Sequence, residues 1–265
     1  MVEKNFNDSL YDSIFFKKIC YFNSLESTNK KLIELIKKTS QPPDVVLAEE
    51  QTGGKGRRGN RWFSPYGGLW MSVILPDIIS AQDITMLSIA SGLSCAKACD
   101  TIIKASRISK FHTFLRWPND LILDNRKLGG LLLEVKKISV IRKTIILGVG
   151  INVNVEAFPE ELKKLATSLL IVTKNKTSMR TLISYILKEL DITLMNLKKN
   201  GIDCLLKEWE AYSYEIGKNI EITSTHNEKK RGKVLGIGRR GELILVKNNN
   251  SEVVLNGYDL KILDK

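Results

Sequence analysis

The densest chemistry in the chain lies between Gly53 and Arg61, where the sequence reads Gly-Gly-Lys-Gly-Arg-Arg-Gly-Asn-Arg. Lys55, Arg57, Arg58 and Arg61 put four cations within seven residues, and no acid falls between Gln51 and Trp62. Glycines let backbone N–H groups approach an anion closely, and successive N–H groups can form an anion-binding nest. Cations at this density suit a nucleotide phosphate, or an acyl phosphate made from one. The segment is not a Walker A loop, because no Gly-Lys-Ser/Thr ending follows to hold magnesium.

Two further groups of residues carry chemistry. In Arg116-Trp117-Pro118-Asn119-Asp120, the proline fixes a turn from which Asn119 and Asp120 project a carboxamide and a carboxylate. An aspartate beside a polyphosphate can ligate Mg²⁺, directly or through water. Lys127-Leu128-Gly129-Gly130 opens an apolar run, so Lys127 stands at the mouth of a strand beside two residues without side chains. There it can reach a carboxylate or phosphate whose body lies on the glycine backbone. Each group also has a plainer reading: a basic surface turn, an Asx turn, and a lysine snorkelling from a strand end.

The elements that must position these residues follow from periodicity. Ser27-Thr28-Asn29 supplies N-cap residues for a helix over 27–39, with Leu32, Ile33, Leu35 and Ile36 on one stripe. Pro42-Pro43 ends it, and Val45–Ala48 and Leu69–Leu75 read as strands on either side of the basic segment. Residues 83–106 predict a long, mostly buried helix. Strands are predicted at 115–117, 121–123, 128–135 and 144–155, and helices at 159–165, 178–198 and 201–214. From Ile216 the pattern changes to five short β-like pieces (220–223, 233–237, 243–246, 253–255 and 260–263), punctuated by glycines and by Asn248-Asn249-Asn250, as in a small barrel. The expected organisation is an α/β body over 1–215 and a C-terminal β module over 216–265.

Composition removes several classes of function. With two histidines, His112 and His226, a Ser-His-Asp triad or a histidine-based zinc site has almost nothing to work with. Four cysteines in 265 residues make no disulfide framework; Cys95 and Cys99, i and i+4 in an apolar segment, read as small buried hydrophobes. The formal charge of +12 points to phosphate-bearing ligands, nucleic acid or an acidic protein partner at the basic cluster, while most of the other lysines read as a solvated compositional bias. No uncharged apolar run reaches the ~18 residues of a membrane span, and charges scattered through the N-terminus argue against a signal peptide. A cytoplasmic protein without membrane contact is expected.

Taken in order, Ser27-Thr28-Asn29, Gln51 to Trp62, Trp117-Pro118-Asn119-Asp120, Lys127 to Gly130 and Gly148-Val149-Gly150-Ile151-Asn152-Val153-Asn154 resemble the biotin protein ligases. The resemblance runs from about residue 20 to the C-terminus. It implies a mixed β-sheet with flanking helices, of the class II aminoacyl-tRNA synthetase and biotin ligase type, plus a small SH3-like barrel. It also implies two steps: biotin and ATP with Mg²⁺ give biotinyl-5′-AMP and pyrophosphate, and a lysine of a biotin carboxyl carrier domain then takes the biotin. Ser27, Thr28, Asn29 and Gln51 would bind the ring end of biotin, with Lys55, Gly56, Arg57, Lys127, Gly129 and Gly130 along the rest of it. Lys55, Arg57, Arg58, Trp62, Asn119, Lys127 and Asn152 would bind ATP or the adenylate. Arg57 and Lys127 would be catalytic, and Asp120 would hold Mg²⁺. Lys55 and Asn60 depart from the family pattern, where arginine or another basic residue is frequent, and Lys55 lacks the bidentate fork of arginine.

Only 26 residues precede Ser27, too few for a multi-helix DNA-binding module ahead of the ligase fold, so no DNA binding is expected. A homodimer stays open. The alternative within the superfamily is a lipoate or octanoate ligase or transferase. From another class, a basic nucleic-acid-binding protein would explain the charge. The last fifty residues carry ten Lys/Arg and six Asp/Glu, only +4, with no stacking aromatic beyond Tyr258. A catalytically dead sensor is disfavoured by intact Arg57, Asp120 and Lys127.

Overall fold

The computed structural model describes residues 4–5, 13–76, 84–107, 110–138, 143–224, 229–247, 251–255 and 260–263. His226, Tyr258, the asparagines at 248–250 and most of the N-terminal charges lie outside the described residues. In chain order the elements are β1 (Lys4–Asn5), β2 (Ile19–Leu25), α1 (Thr28–Lys38), β3 (Val45–Gln51), β4 (Leu69–Leu75), α2 (Ile84–Ala105), β5 (Phe114–Arg116), β6 (Asp120–Leu123), β7 (Arg126–Lys137) and β8 (Lys143–Ile151). Then come α3 (Glu160–Lys163), α4 (Leu169–Thr173), α5 (Met179–Asn200), α6 (Asp203–Tyr212), β9 (Asn219–Ser224), β10 (Lys229–Ile237), β11 (Leu243–Val246), β12 (Glu252–Leu255) and β13 (Leu260–Leu263).

The first eight strands form one mixed sheet in the order β1-β2-β3-β4-β8-β7-β6-β5, in which only β2 and β3 run parallel. The last five form a separate antiparallel sheet, β12-β11-β10-β9-β13. The mixed sheet with flanking helices is the expected class. Three elements were not predicted: β1, β2 and α4. The strand expected over 144–155 ends at Ile151, because Asn152 turns away to bond the backbone at Leu128 and Leu169.

The two faces of the sheet differ because strand side chains alternate. Met71, Val73, Leu131, Leu147 and Val149 face the larger core, which α2, α5 and α6 complete. Helix α2 is apolar all round because it is buried on nearly every side; it has the length and composition of a membrane span, yet most of it lies inside this core. Cys95 and Cys99 are buried there, and burial pushes the Cys95 thiol up to about 12 and the Cys99 thiol well above its usual range. On the opposite face α1 packs Leu32 and Ile36 against Cys20, Phe22, Val46 and Ile146. Further along that face, strands β4, β8 and β7 carry Ser72, Gly148, Gly150 and Gly130 in place of large side chains. That row of small residues leaves a cleft.

Candidate active site

The cleft has a volume of about 1000 Å³. Its lining includes Ser27, Thr28, Asn29, Gln51, Lys55, Gly56, Arg57, Arg58, Trp62, Asn119, Asp120, Lys127, Gly130 and Asn152. The cleft brings together every sequence-predicted site residue but one. The exception is Gly129, which the pleat turns to the other face: a Cβ there would meet Ile151, Leu121 and the backbone of Gly150. Gly150 takes the place on the cleft floor that Gly129 was expected to fill.

At its inner end the cleft is polar and tightly bonded. Ser27 caps α1, its hydroxyl accepting from the Lys30 N–H at 3.5 Å. Gln51 Oε1 accepts both the backbone N–H of Thr28 at 2.8 Å and its hydroxyl at 3.1 Å, and Gln51 Nε2 donates to Ser64 Oγ at 3.0 Å. Ser72 Oγ lies within hydrogen-bond distance of Thr28 Oγ1 and of Asn29 Oδ1, while Asn29 Nδ2 donates to Glu134 Oε2 at 2.7 Å. Although burial pulls the other way, hydrogen bonds from Lys136 and Asn29 hold the Glu134 carboxyl below its usual range. Gly148 makes this possible, since a Cβ there would stand 2.6 Å from Asn29 Oδ1. Ser72 and Glu134 were missed from sequence; Ser72 was detectable as the one polar residue inside the apolar strand 69–75.

The basic segment is a small hairpin. Trp62 N–H donates to Gly54 O, Lys55 bridges Arg61, and Gly56 N–H donates to Asn60 O at 2.8 Å. Arg58 and Gly59 turn the tip with φ of 58° and 74°. The predicted nest of glycine N–H groups is not formed at Gly53 and Gly56, whose N–H groups bond Glu26 O and Asn60 O. Gly53 and Gly54 instead permit close packing, against Glu26 and against Ser64. With these two amides spent, the cationic side chains of Lys55, Arg57, Arg58 and Arg61 are what this segment offers an anion.

At the outer end the hairpin meets the proline turn and the mouth of β7. Arg57 Nη1 donates to Asn119 Oδ1 at 3.1 Å, and Asn119 Nδ2 and O both bond the backbone of Leu131. Lys127 pairs with Asp120 at 2.8 Å and lies 4.9 Å above the Trp62 ring. That ring rests on Gly130 and Gly150, with Nε1 buried and unpartnered among the described residues. Asn152 is buried and its Nδ2 donates to Thr167 O at 3.1 Å, tying down the segment that also brackets the backbone of Lys127. Among the described lining residues, eight Lys/Arg face two carboxylates, Asp120 and Glu134, and there is no histidine. Such a cleft can hold a polyanion with a polar, uncharged head at its inner end.

Comparison with known proteins agrees with this geometry. Residues 21–152 match the Biotin/lipoate A/B protein ligase family. The bifunctional ligase/repressor BirA of Bacillus subtilis is 30% identical over 249 residues, 93% of this chain and 74% of that protein. The chain belongs to this family. The biotin–[acetyl-CoA-carboxylase] ligase of Mycobacterium tuberculosis is 29% identical over 80% of this chain and 77% of that protein. Among solved structures, the biotin protein ligase from Aquifex aeolicus in complex with biotin and ATP superposes with a TM-score of 0.82. It is 26% identical and covers 94% of this chain and all of that one. The ligase fold described above is thus that of the biotin protein ligases.

Proposed function

We propose that this ligase activates biotin with ATP as biotinyl-5′-AMP and transfers the biotin to a lysine of a biotin carboxyl carrier domain. The observation that carries this reading is the polar inner end of the cleft, built from Thr28, Asn29, Gln51 and Ser72. A ureido ring can satisfy such groups. A lipoyl or octanoyl chain would instead set apolar atoms against this polar wall and leave its remaining hydrogen-bonding capacity unused. The relatives named above as biotin ligases support the same choice over the lipoate reading.

In this reading Ser27, Thr28, Asn29 and Gln51 take the ring end, and the glycine floor carries the valeryl chain. The biotin carboxylate attacks the α-phosphorus of ATP, and pyrophosphate leaves. A carboxylate needs no general base, which fits a cleft whose described lining lacks histidine. It does need cations to offset repulsion between anions and to stabilise charge developing on the phosphates. Lys127 serves the reacting carboxylate and α-phosphate, Arg57 with Lys55 and Arg58 closes over the adenylate, and Trp62 covers it. Asn119 and Asn152 hold the turn and the segment that aim these cations.

Magnesium binds through one or two carboxylates plus substrate phosphates. The donor chemistry fits that mode: Asp120 is a carboxylate lining the outer end of the cleft, beside Lys127. Asp120 would hold the ion, which when bound supplies neutralisation of polyphosphate charge. In the second step the carrier lysine displaces AMP from the mixed anhydride. Incubating the ligase with biotin, ATP and an isolated carrier domain, followed by mass spectrometry, tests this. One biotinyl group on one lysine is expected, absent when that lysine is changed to arginine. Modification by lipoate or octanoate alone would contradict the reading.

A further inference from the structure

Glu215 is a buried carboxyl that the chemistry above does not use. It is 2% exposed and lies in the link between α6 and β9. Its Oε2 accepts the backbone N–H of Trp117 at 3.2 Å, and Oε1 is buried with no partner among the described residues. Trp117 is gripped on its other side as well, where its indole N–H donates to Gly241 O, in the turn between β10 and β11, at 2.9 Å. Gly241 is seated on α2, where a Cβ would meet Met86, Thr85 and Ile89. The Tyr214 N–H donates to Leu115 O at 2.8 Å, so the link itself runs beside β5. Trp117 is therefore fixed at both ends immediately before Asn119 and Asp120, the two side chains on which Arg57 and Lys127 rest.

We propose that Glu215 is a positioning residue for the ligase reaction, holding the Trp117 amide and through it the Asn119–Asp120 turn. The inference rests on the functional reading above. Burial raises the Glu215 carboxyl to about 8, against partial offsets from the Trp117 N–H and from the charges of Arg116 and Lys218. Those two cations face it from β5 and from the link, and both also lie over the Tyr214 ring. Once ionised, Glu215 carries its charge in a buried junction, with Oε1 unpartnered among the described residues, and Arg116 and Lys218 draw it outward. The folded carboxyl binds its proton more tightly than an unfolded one does. Its contribution to stability is therefore full below the ordinary value of 4.5 and is lost as pH rises to about 8.

The test follows the tryptophan amides by ¹⁵N NMR and biotin-dependent pyrophosphate exchange over the same range, about pH 6 to about pH 9. In the unmodified chain the Trp117 amide should shift with a midpoint near 8, and exchange should fall several-fold with it. Glu215→Gln keeps the shape and an acceptor but cannot ionise, so both profiles should be flat, with an unchanged rate at neutral pH. Glu215→Leu removes the acceptor and should slow exchange about tenfold at neutral pH, with the KM for biotin unchanged. An immobile Trp117 amide, an alkaline fall retained in Glu215→Gln, or full exchange in Glu215→Leu would overturn the proposal. No biotin-dependent exchange at any pH would overturn the functional reading and this inference with it. The amide titration does not depend on activity and tells the two failures apart.

Discussion

The two ends of the cleft are built in opposite ways. At the inner end, Thr28, Asn29, Gln51 and Ser72 sit on α1, β3 and β4, and they bond one another across the sheet and helix. At the outer end, Lys55, Arg58 and Arg61 are exposed on a hairpin whose backbone bonds are almost all internal, and Arg57 to Asn119 is a tie across to the rest of the site. Four like charges within seven residues repel one another until an anion arrives. The comparison teaches a division of labour. On the proposed reading, recognition of the uncharged head is set up in folding, whereas the grip on phosphate is completed by the phosphate itself.

The largest effect should come from removing the cation that joins the two ends. On the role proposed for Lys127, Lys127→Ala removes the charge that serves the reacting carboxylate and α-phosphate, and should slow adenylate formation about 100-fold or more, about 3 kcal/mol. A single-turnover assay with wild-type-like rates would make Lys127 only the ion-pair partner of Asp120.

The inner end can be broken by adding one methyl group. In Gly148→Ala the new Cβ would stand 2.6 Å from Asn29 Oδ1. Displacing Asn29 should raise the KM for biotin about tenfold and cost roughly 1–3 kcal/mol of stability, while the KM for ATP changes little. Equal loss for both substrates would mean that the two ends are not separable.

The hairpin should tolerate change in chemistry but not in retention. Arg57→Gly should leave adenylate formation within several-fold of normal, yet release the adenylate, so that bystander lysines become biotinylated. In the unmodified chain, trypsin should cut at Lys55–Arg61 readily without ligand and several-fold more slowly with biotin and ATP. Equal cleavage in both states, with no stray labelling by the variant, would make the hairpin a plain basic turn.

The way these parts were legible differs in the same manner. The hairpin announces itself because cations and glycines have few structural reasons to cluster. Its backbone conformation was not legible, since the glycine N–H groups expected on an anion are spent on Glu26 and Asn60. At the inner end Ser27, Thr28, Asn29 and Gln51 were visible, but Ser72 and Glu134 come from strands distant in sequence and become site residues only through sheet register. Gly129 fails for a related reason: adjacent glycines look alike in sequence, and the pleat sends one to each face. Strand β2 was missed because Asn23 and Ser24 interrupt its apolar alternation, and α4 because Leu-Leu-Ile-Val-Thr carries no helical periodicity in five residues.

On the proposed reading, a preformed polar pocket selects biotin for activation by a phosphate-ordered basic site. Isotope exchange between pyrophosphate and ATP, run with magnesium and with biotin, lipoate or octanoate in turn, tests it most directly. Exchange that depends on biotin, and that is at least about 100-fold weaker with either fatty acid, is the predicted result. Exchange driven by lipoate or octanoate and not by biotin would contradict it.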